Sequence, residues 1–246
     1  MLDRLAYTAM TGAKHSMGQL ATTTNNLANA STPGFREMIA TFRAVPMSGE
    51  GEATRSFVVD STPGSSFAPG VIETTGNPLD FAIQGEGFFA VAGPDGNEGY
   101  TRAGRFMLDA EGMLKTASGL SVLGEDGDIS IPLGAHVDVA DDGRVSARLP
   151  GEKASTQVGK LKLVKPEDRQ LVRGEDGLFR VPGQVLEPDA AVRVRQGSIE
   201  TSNVSAANAM VEMISQTRLF EFNLKLLQTA EQNSRAANQL LNLSRG

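Results

Sequence analysis

All 11 prolines of this 246-residue chain fall between Pro33 and Pro188. None occurs in residues 1–32 or 189–246, and from Ser198 to Arg245 there is no glycine either. Proline in a helix interior costs about 3 kcal/mol and glycine about 1 kcal/mol relative to alanine. Both ends can therefore be long helices, and the middle cannot. Charge divides the chain at the same places. The net charge is −6; the ends are close to balance, and the acidic excess lies in the middle. The pattern predicts an α+β chain: N- and C-terminal helices pairing as a coiled-coil-like layer, around a central antiparallel all-β domain. The expected divisions are 1–32 with 198–246 as a terminal-helix assembly domain, 33–70 as an extended or β connecting segment, and 71–197 as the β-rich centre.

The C-terminal segment carries the strongest helical period. Thr201, Ser202 and Asn203 offer N-caps. A 4–3 alternation then runs through Ala206, Met210, Met213, Thr217, Phe220, Leu224 and Leu227, as a heptad seam requires. It decays through Glu231, Ser234 and Asn238 and recovers at Leu241. Val211, Ile214, Leu219, Phe222, Leu226 and Leu240 lie off that seam, so the apolar arc is wider than one partner helix needs. Such a helix either packs on its own domain or is buried among several, from this chain or from neighbours.

The N-terminal segment is the candidate partner. Leu2, Leu5, Ala9, Met10, Ala13, Met17, Leu20, Ala21, Thr24 and Leu27 recur at helical spacing. Ala6, Gly12, Ser16 and Gly18 add small residues that permit close helix approach. The sequence STPG at 31–34 ends the helix. Asn25, Asn26 and Asn29 cluster just before it, either as turn-bonding side chains or as a specified polar network.

The middle reads as short strands at 57–59, 81–83, 88–91, 106–108, 129–131, 137–139, 161–164, 178–181 and 192–194. Turn signals such as GPDG at 93–96 and DAEG at 109–112 separate them.

Composition removes several chemistries. There is no cysteine, hence no disulfide, thiolate metal site or cysteine nucleophile. His15 and His136 are the two histidines, too few for an imidazole-rich metal centre. An acidic chain with no Lys/Arg block is a poor match for nucleic acid. No run of about 18 apolar residues is present, so no membrane insertion is expected. The opening MLDRLAYTAM has Asp3 and Arg4 where an apolar stretch would begin, which predicts no cleaved secretory signal. The Gly-Glu-Gly at 85–87 lacks the Gly-Lys-Ser of a phosphate loop. A carboxylate pair is the one catalytic arrangement that composition leaves open, with Glu86, Asp109 and Glu111 as its acids.

Three blocks carry a family resemblance. TGAKHSMGQLATTTNNLANASTPGFR (11–36), with the core NNLAN and TPGF, resembles the N-terminal signature of flagellar rod and hook proteins. TGNPLDFAIQGEGFFAV (75–91), continuing through 100–106 and the ASG of 117–119, is similar to their central domain. QGSIETSNV (196–204) and the helix after it resemble their C-terminal signature. The blocks occur in the family's order and span nearly the whole chain, and the opening DRLAYTAMTGA most resembles proximal rod members.

The resemblance implies a non-enzymatic structural subunit of the flagellar basal body, in the rod that crosses the periplasm. It implies helical assembly with itself and with proximal and distal rod proteins, passage through the flagellar export apparatus, and no cofactor or metal. The expected assembly surface is Leu5, Met10, Met17, Leu20, Leu27, Met210, Met213, Phe220, Leu224 and Leu227. The expected turn out of the inner layer is Asn25, Asn26, Asn29, Pro33 and Gly34. A distal rod or hook-type subunit, a non-flagellar exported fibre or adhesin subunit, and a wall-cleaving enzyme using Glu86 or Glu111 remain as alternatives.

Overall fold

The computed structural model describes residues 2–46, 56–60, 64–152, 154–167 and 170–243. The chain forms two compact units, each assembled from separated stretches of sequence.

The first unit comprises residues 1–28, 38–64 and 205–246. Helix α1 spans Leu2–Ala28 and helix α2 spans Ala206–Leu243, and the two pack along each other. Their lengths follow from the absence of proline. Ser205, not Thr201, Ser202 or Asn203, caps α2: its Oγ accepts the Asn208 amide at 3.4 Å. Within α1 the small polar residues bond their own helix, Ser16 Oγ donating to the Gly12 and Ala13 carbonyls. Residues 38–64, expected as part of a separate connection, group with the helices instead. They include a hairpin pairing Phe42–Pro46 with Ser56–Asp60.

The second unit, residues 29–37 and 65–204, is antiparallel β structure. A five-stranded sheet runs in the order Leu163–Val164, Phe88–Ala92, Glu98–Thr101, Phe179–Arg180, Val172–Arg173. Arg193–Gln196 pairs with Phe81–Gln84, and Ser198–Glu200 with Ile72–Thr74. His136–Val139, Arg144–Arg148 and Thr156–Lys160 form a three-stranded sheet, bulged between Val145 and Ser146.

Strand Phe88–Ala92 is buried on both faces, which is why it reads as an unbroken apolar run. Phe89 and Val91 enter one cluster with Phe81, Phe106, Leu114, Ile129 and Leu161; Phe88 and Ala90 enter a second with Tyr100, Val164 and Phe179. The Phe89 ring meets Phe106 edge-on at 5.2 Å between centroids. The expected strand at 129–131 is absent. Ser130 makes a single bridge to Met113, while Ile129 and Ile131 still fill the core from irregular backbone.

Candidate functional site

The three sequence blocks converge on one buried ion cluster in the second unit. Glu200, at the end of its strand, accepts from Arg36 Nη1 at 2.7 Å through Oε1 and from Arg102 Nη1 at 2.9 Å through Oε2. All three side chains are buried. The Gly70 amide adds a third bond to Oε1 at 2.8 Å. The guanidiniums donate onward to backbone carbonyls, Arg36 to Ala68 and Arg102 to Ile83 and Gly85. A buried carboxylate is tolerated only when paired and hydrogen-bonded, and Glu200 is both.

The flanking residues lock the same junction. The Gly34 amide donates to the Glu200 carbonyl at 2.8 Å, and its φ of 70° lies where only glycine is unstrained. Asn203 accepts the Glu37 amide at 2.7 Å and donates to the Ser66 and Ala68 carbonyls. Arg173 donates to the Arg36 carbonyl and stacks 4.4 Å over the Phe35 ring; burial lowers its pKa from the ordinary arginine value. Of the expected turn residues, Gly34 is buried here and Pro33 half-buried. Asn29 caps the turn, accepting Thr32 N at its carbonyl and Thr32 Oγ1 at Oδ1. Asn26 belongs to the helical unit, where its amide takes both the Met38 N–H and the Met38 carbonyl at 2.8 Å. Asn25 is exposed. Arg36, Arg102 and Glu200 were missing from the expected site. Two arginines and a glutamate dispersed over the chain carry no local signal of pairing.

The helix pair differs from expectation in phase. On α2 the residues facing inward are Ala209, Asn223 and Ala230, with Ala206, Met213, Gln216, Phe220 and Leu227 half-buried. Met210, Thr217 and Leu224, assigned to the seam on sequence, sit one position away and are exposed. On α1 the inward residues are Ala9, Ala13, Ser16, Thr23 and Asn26. The seam is thus small and partly polar. Gly12 shows how tight it is: a Cβ built there would lie 2.8 Å from Asn223 Oδ1. Bulky α2 side chains aimed at α1 would wedge such a pair apart.

The large apolar side chains point outward instead. On α1 these are Tyr7, Met10 and Met17, the last 63% exposed; on α2 they are Met210, Val211, Ile214, Leu219, Phe222 and Leu224. Among the expected assembly residues, Met10, Met17, Met210 and Leu224 lie on this outward face. Leu20, Leu27, Met213, Phe220 and Leu227 are half-buried beside the seam. The side chain of Leu5 is outside the described residues.

Two of the candidate acids, Glu86 and Asp109, are paired with lysines. A hydrogen bond from Lys165 holds Glu86 below the ordinary carboxylate range. Asp109 is lowered by Lys115 and is a turn residue, its Oδ1 accepting the Glu111 and Met113 amides. A general acid near neutral pH needs the opposite shift. Glu86 lines a cavity of about 670 Å³ with Phe67, Phe88, Arg36 and Arg102, but it faces that space as an ionised partner of a lysine. Among the described residues no cluster of His, Asp or Glu could hold a metal ion, and no helix is long and apolar enough to cross a membrane.

Long helices from both ends of one chain, apolar side chains turned outward, with a β unit inserted between them, define a structural assembly subunit. Residues 7–36 match the flagella basal body rod protein family, residues 82–147 the flagellar hook protein FlgE/F/G D1 domain, and residues 195–240 the flagellar basal body rod FlgEFG protein C-terminal family. The flagellar basal-body rod protein FlgF of Escherichia coli (strain K12) is 45% identical over 99% of this chain and 100% of its own length. FlgF of Salmonella typhimurium is 43% identical with the same coverage. FlgG of Buchnera aphidicola subsp. Acyrthosiphon pisum is 33% identical over 88% of this chain and 91% of its own. The chain belongs to the flagellar basal-body rod proteins and is a structural subunit of that rod.

Proposed function

We propose that this subunit occupies the proximal rod and joins other axial proteins through the outward face of its terminal helices, passing motor torque along the shaft without turning over a substrate. The observation that carries this reading is the inversion of the helix pair, with small and polar residues inside and large apolar ones outside. Fully covering an exposed Val, Leu, Ile, Phe or Met side chain gains roughly 1.5–3 kcal/mol, so the six apolar residues of α2 that stand about half exposed offer roughly 5–10 kcal/mol to neighbours. Side-by-side contacts that do not close into a ring build a helical tube. The higher identity to FlgF than to FlgG supports the proximal position. The lysine-paired states of Glu86 and Asp109 support a non-enzymatic role. Absence of cysteine suits passage through the export apparatus as an extended thread.

Quantitative mass spectrometry of purified hook–basal bodies tests the assignment. The subunit is expected at low copy, below the distal rod protein; its absence from intact particles would sink the assignment in favour of an exported fibre. Leu224→Asp is expected to abolish incorporation while the β unit stays folded.

A further inference from the structure

We propose that Gly12 and Asn223 form a register lock that fixes how α1 and α2 align, and through it the layout of the outward apolar face; the second half of this statement rests on the assembly reading above.

The small residues of the seam specify register poorly. Ala206, Ala209 and Ala230 on α2 and Ala9, Ala13 and Ser16 on α1 are similar in size. These small residues resist a slip only weakly, since each methyl group involved is worth only about 0.8 kcal/mol. A seam of repeated small residues holds several alignments of similar energy unless one position differs. A polar residue at a single seam position fixes register at some expense of stability.

On α2 the buried polar residue of the seam is Asn223. Its side chain is buried, and Nδ2 donates to the Leu219 carbonyl at 3.0 Å, which sets the rotamer. Oδ1 then lies over Gly12, which has no side chain to displace it. Gly18, also on α1, has open space where its Cβ would be and no such role. The Gly34 amide donates to the Glu200 carbonyl and the Asn203 amide to the Phe35 carbonyl, so the chain leaving α1 lies beside the chain entering α2, and two helices packed along each other from that junction run antiparallel. That arrangement brings Gln19 opposite Gln216 and Asn26 opposite Ala209. A slip of one heptad, about 10 Å along the axis, sets Asn223 against Leu5 or Gln19. Both carry side chains where Gly12 leaves a notch, and the amide would lose its fitted site. The slip would also move Leu224, level with Thr11 in this register, by about 10 Å along α1, changing which outward apolar side chains of the two helices sit side by side.

The chain has no cysteine, so paired cysteines can read the register directly. In the full-length protein, in flagellated cells and after purification, Gln19→Cys with Gln216→Cys is expected to cross-link with a short bismaleimide, and Gln19→Cys with Ala209→Cys is not. Adding Asn223→Ala, or Gly12→Ala, should shift the ratio of the two products by about tenfold toward the slipped pair, the size set by losing one buried amide contact. Failure of the 19–216 pair in the parent chain, or an unchanged ratio in both variants, overturns the lock. Incorporation into basal bodies is scored separately. A register shift without loss of incorporation therefore overturns only the link to assembly, while loss of incorporation with register intact overturns the lock.

Discussion

Gly34 lies against the peptide unit that joins Arg102 to Ala103. A Cβ added to it would stand 2.2 Å from the Arg102 carbonyl carbon and 2.3 Å from the Ala103 nitrogen. The backbone there has φ 70°, so a side chain meets strain and overlap together. Gly34→Ala is expected to cost the β unit roughly 2–3 kcal/mol or more, seen as a fall in the denaturant midpoint. Alanine at Gly96, where φ is 77° but nothing stands within 4 Å, pays only the backbone strain and is the control.

Glu200→Gln keeps the shape of the cluster and removes its only carboxylate, leaving Arg36 and Arg102 buried without a counter-charge. Breaking one side of a buried ion network costs about 3–5 kcal/mol. The loss should appear in thermal unfolding of the full chain. The control is Glu86→Gln, which breaks the exposed pair with Lys165 and should change stability by less than ~1 kcal/mol. Equal losses in the two variants would show that burial of the cluster contributes nothing.

Tyr100 gives the fold an alkaline limb. Its buried phenol is pushed up to about 12, desolvation outweighing the Leu186 N–H that it accepts at 2.8 Å. The folded state therefore favours the neutral phenol over the unfolded chain, which titrates near 10. That contribution is complete below pH 10 and is lost as pH rises toward 12. Tyr100→Phe should lose about 1 kcal/mol at neutral pH through the missing hydrogen bond, but its stability should fall less steeply from pH 10 to 12. Parallel curves for the two proteins would contradict this assignment.

Substitutions on the two faces of α2 should separate folding from assembly. Phe222→Asp changes an exposed residue and is expected to leave the stability of the isolated subunit within about 0.5 kcal/mol, while swimming and rod incorporation are lost. Ala209→Asp puts a carboxylate into the seam and should reduce helix content before any partner is involved. Circular dichroism of the purified chain and swarm diameter of the cells distinguish the two.

The elements legible in the sequence were those whose signal is local. Both helices follow from missing prolines, and strands such as Phe81–Gln84 and Phe88–Ala92 follow from apolar runs. Arg144–Arg148 and Thr156–Lys160 went unread because each offers few apolar side chains, Val145 and Ala147 in one and Val158 in the other. The seam phase of α2 was misread for a physical reason. Periodicity weighs residues by hydrophobicity, so Met210 and Leu224 outscore Ala209 and Asn223. Close packing against Gly12 selects by size instead. The ion cluster was illegible because Arg36, Arg102 and Glu200 meet only in three dimensions. Gly34 was marked by its turn chemistry, but nothing in the sequence showed what it packs against.

The spacing of those three residues orders events in time. A chain that emerges amino terminus first, from a ribosome or from the mouth of a narrow conduit, delivers Arg36 early and Arg102 midway. The counter-ion for both, Glu200, comes only when four-fifths of the polypeptide is out. Until then the two cations must stay hydrated, and the β unit cannot close around them. Completion is deferred to the arrival of one acidic side chain, which emerges immediately ahead of the C-terminal helix. On that order of delivery the β unit reaches its final packing only in the last fifth of the chain's emergence.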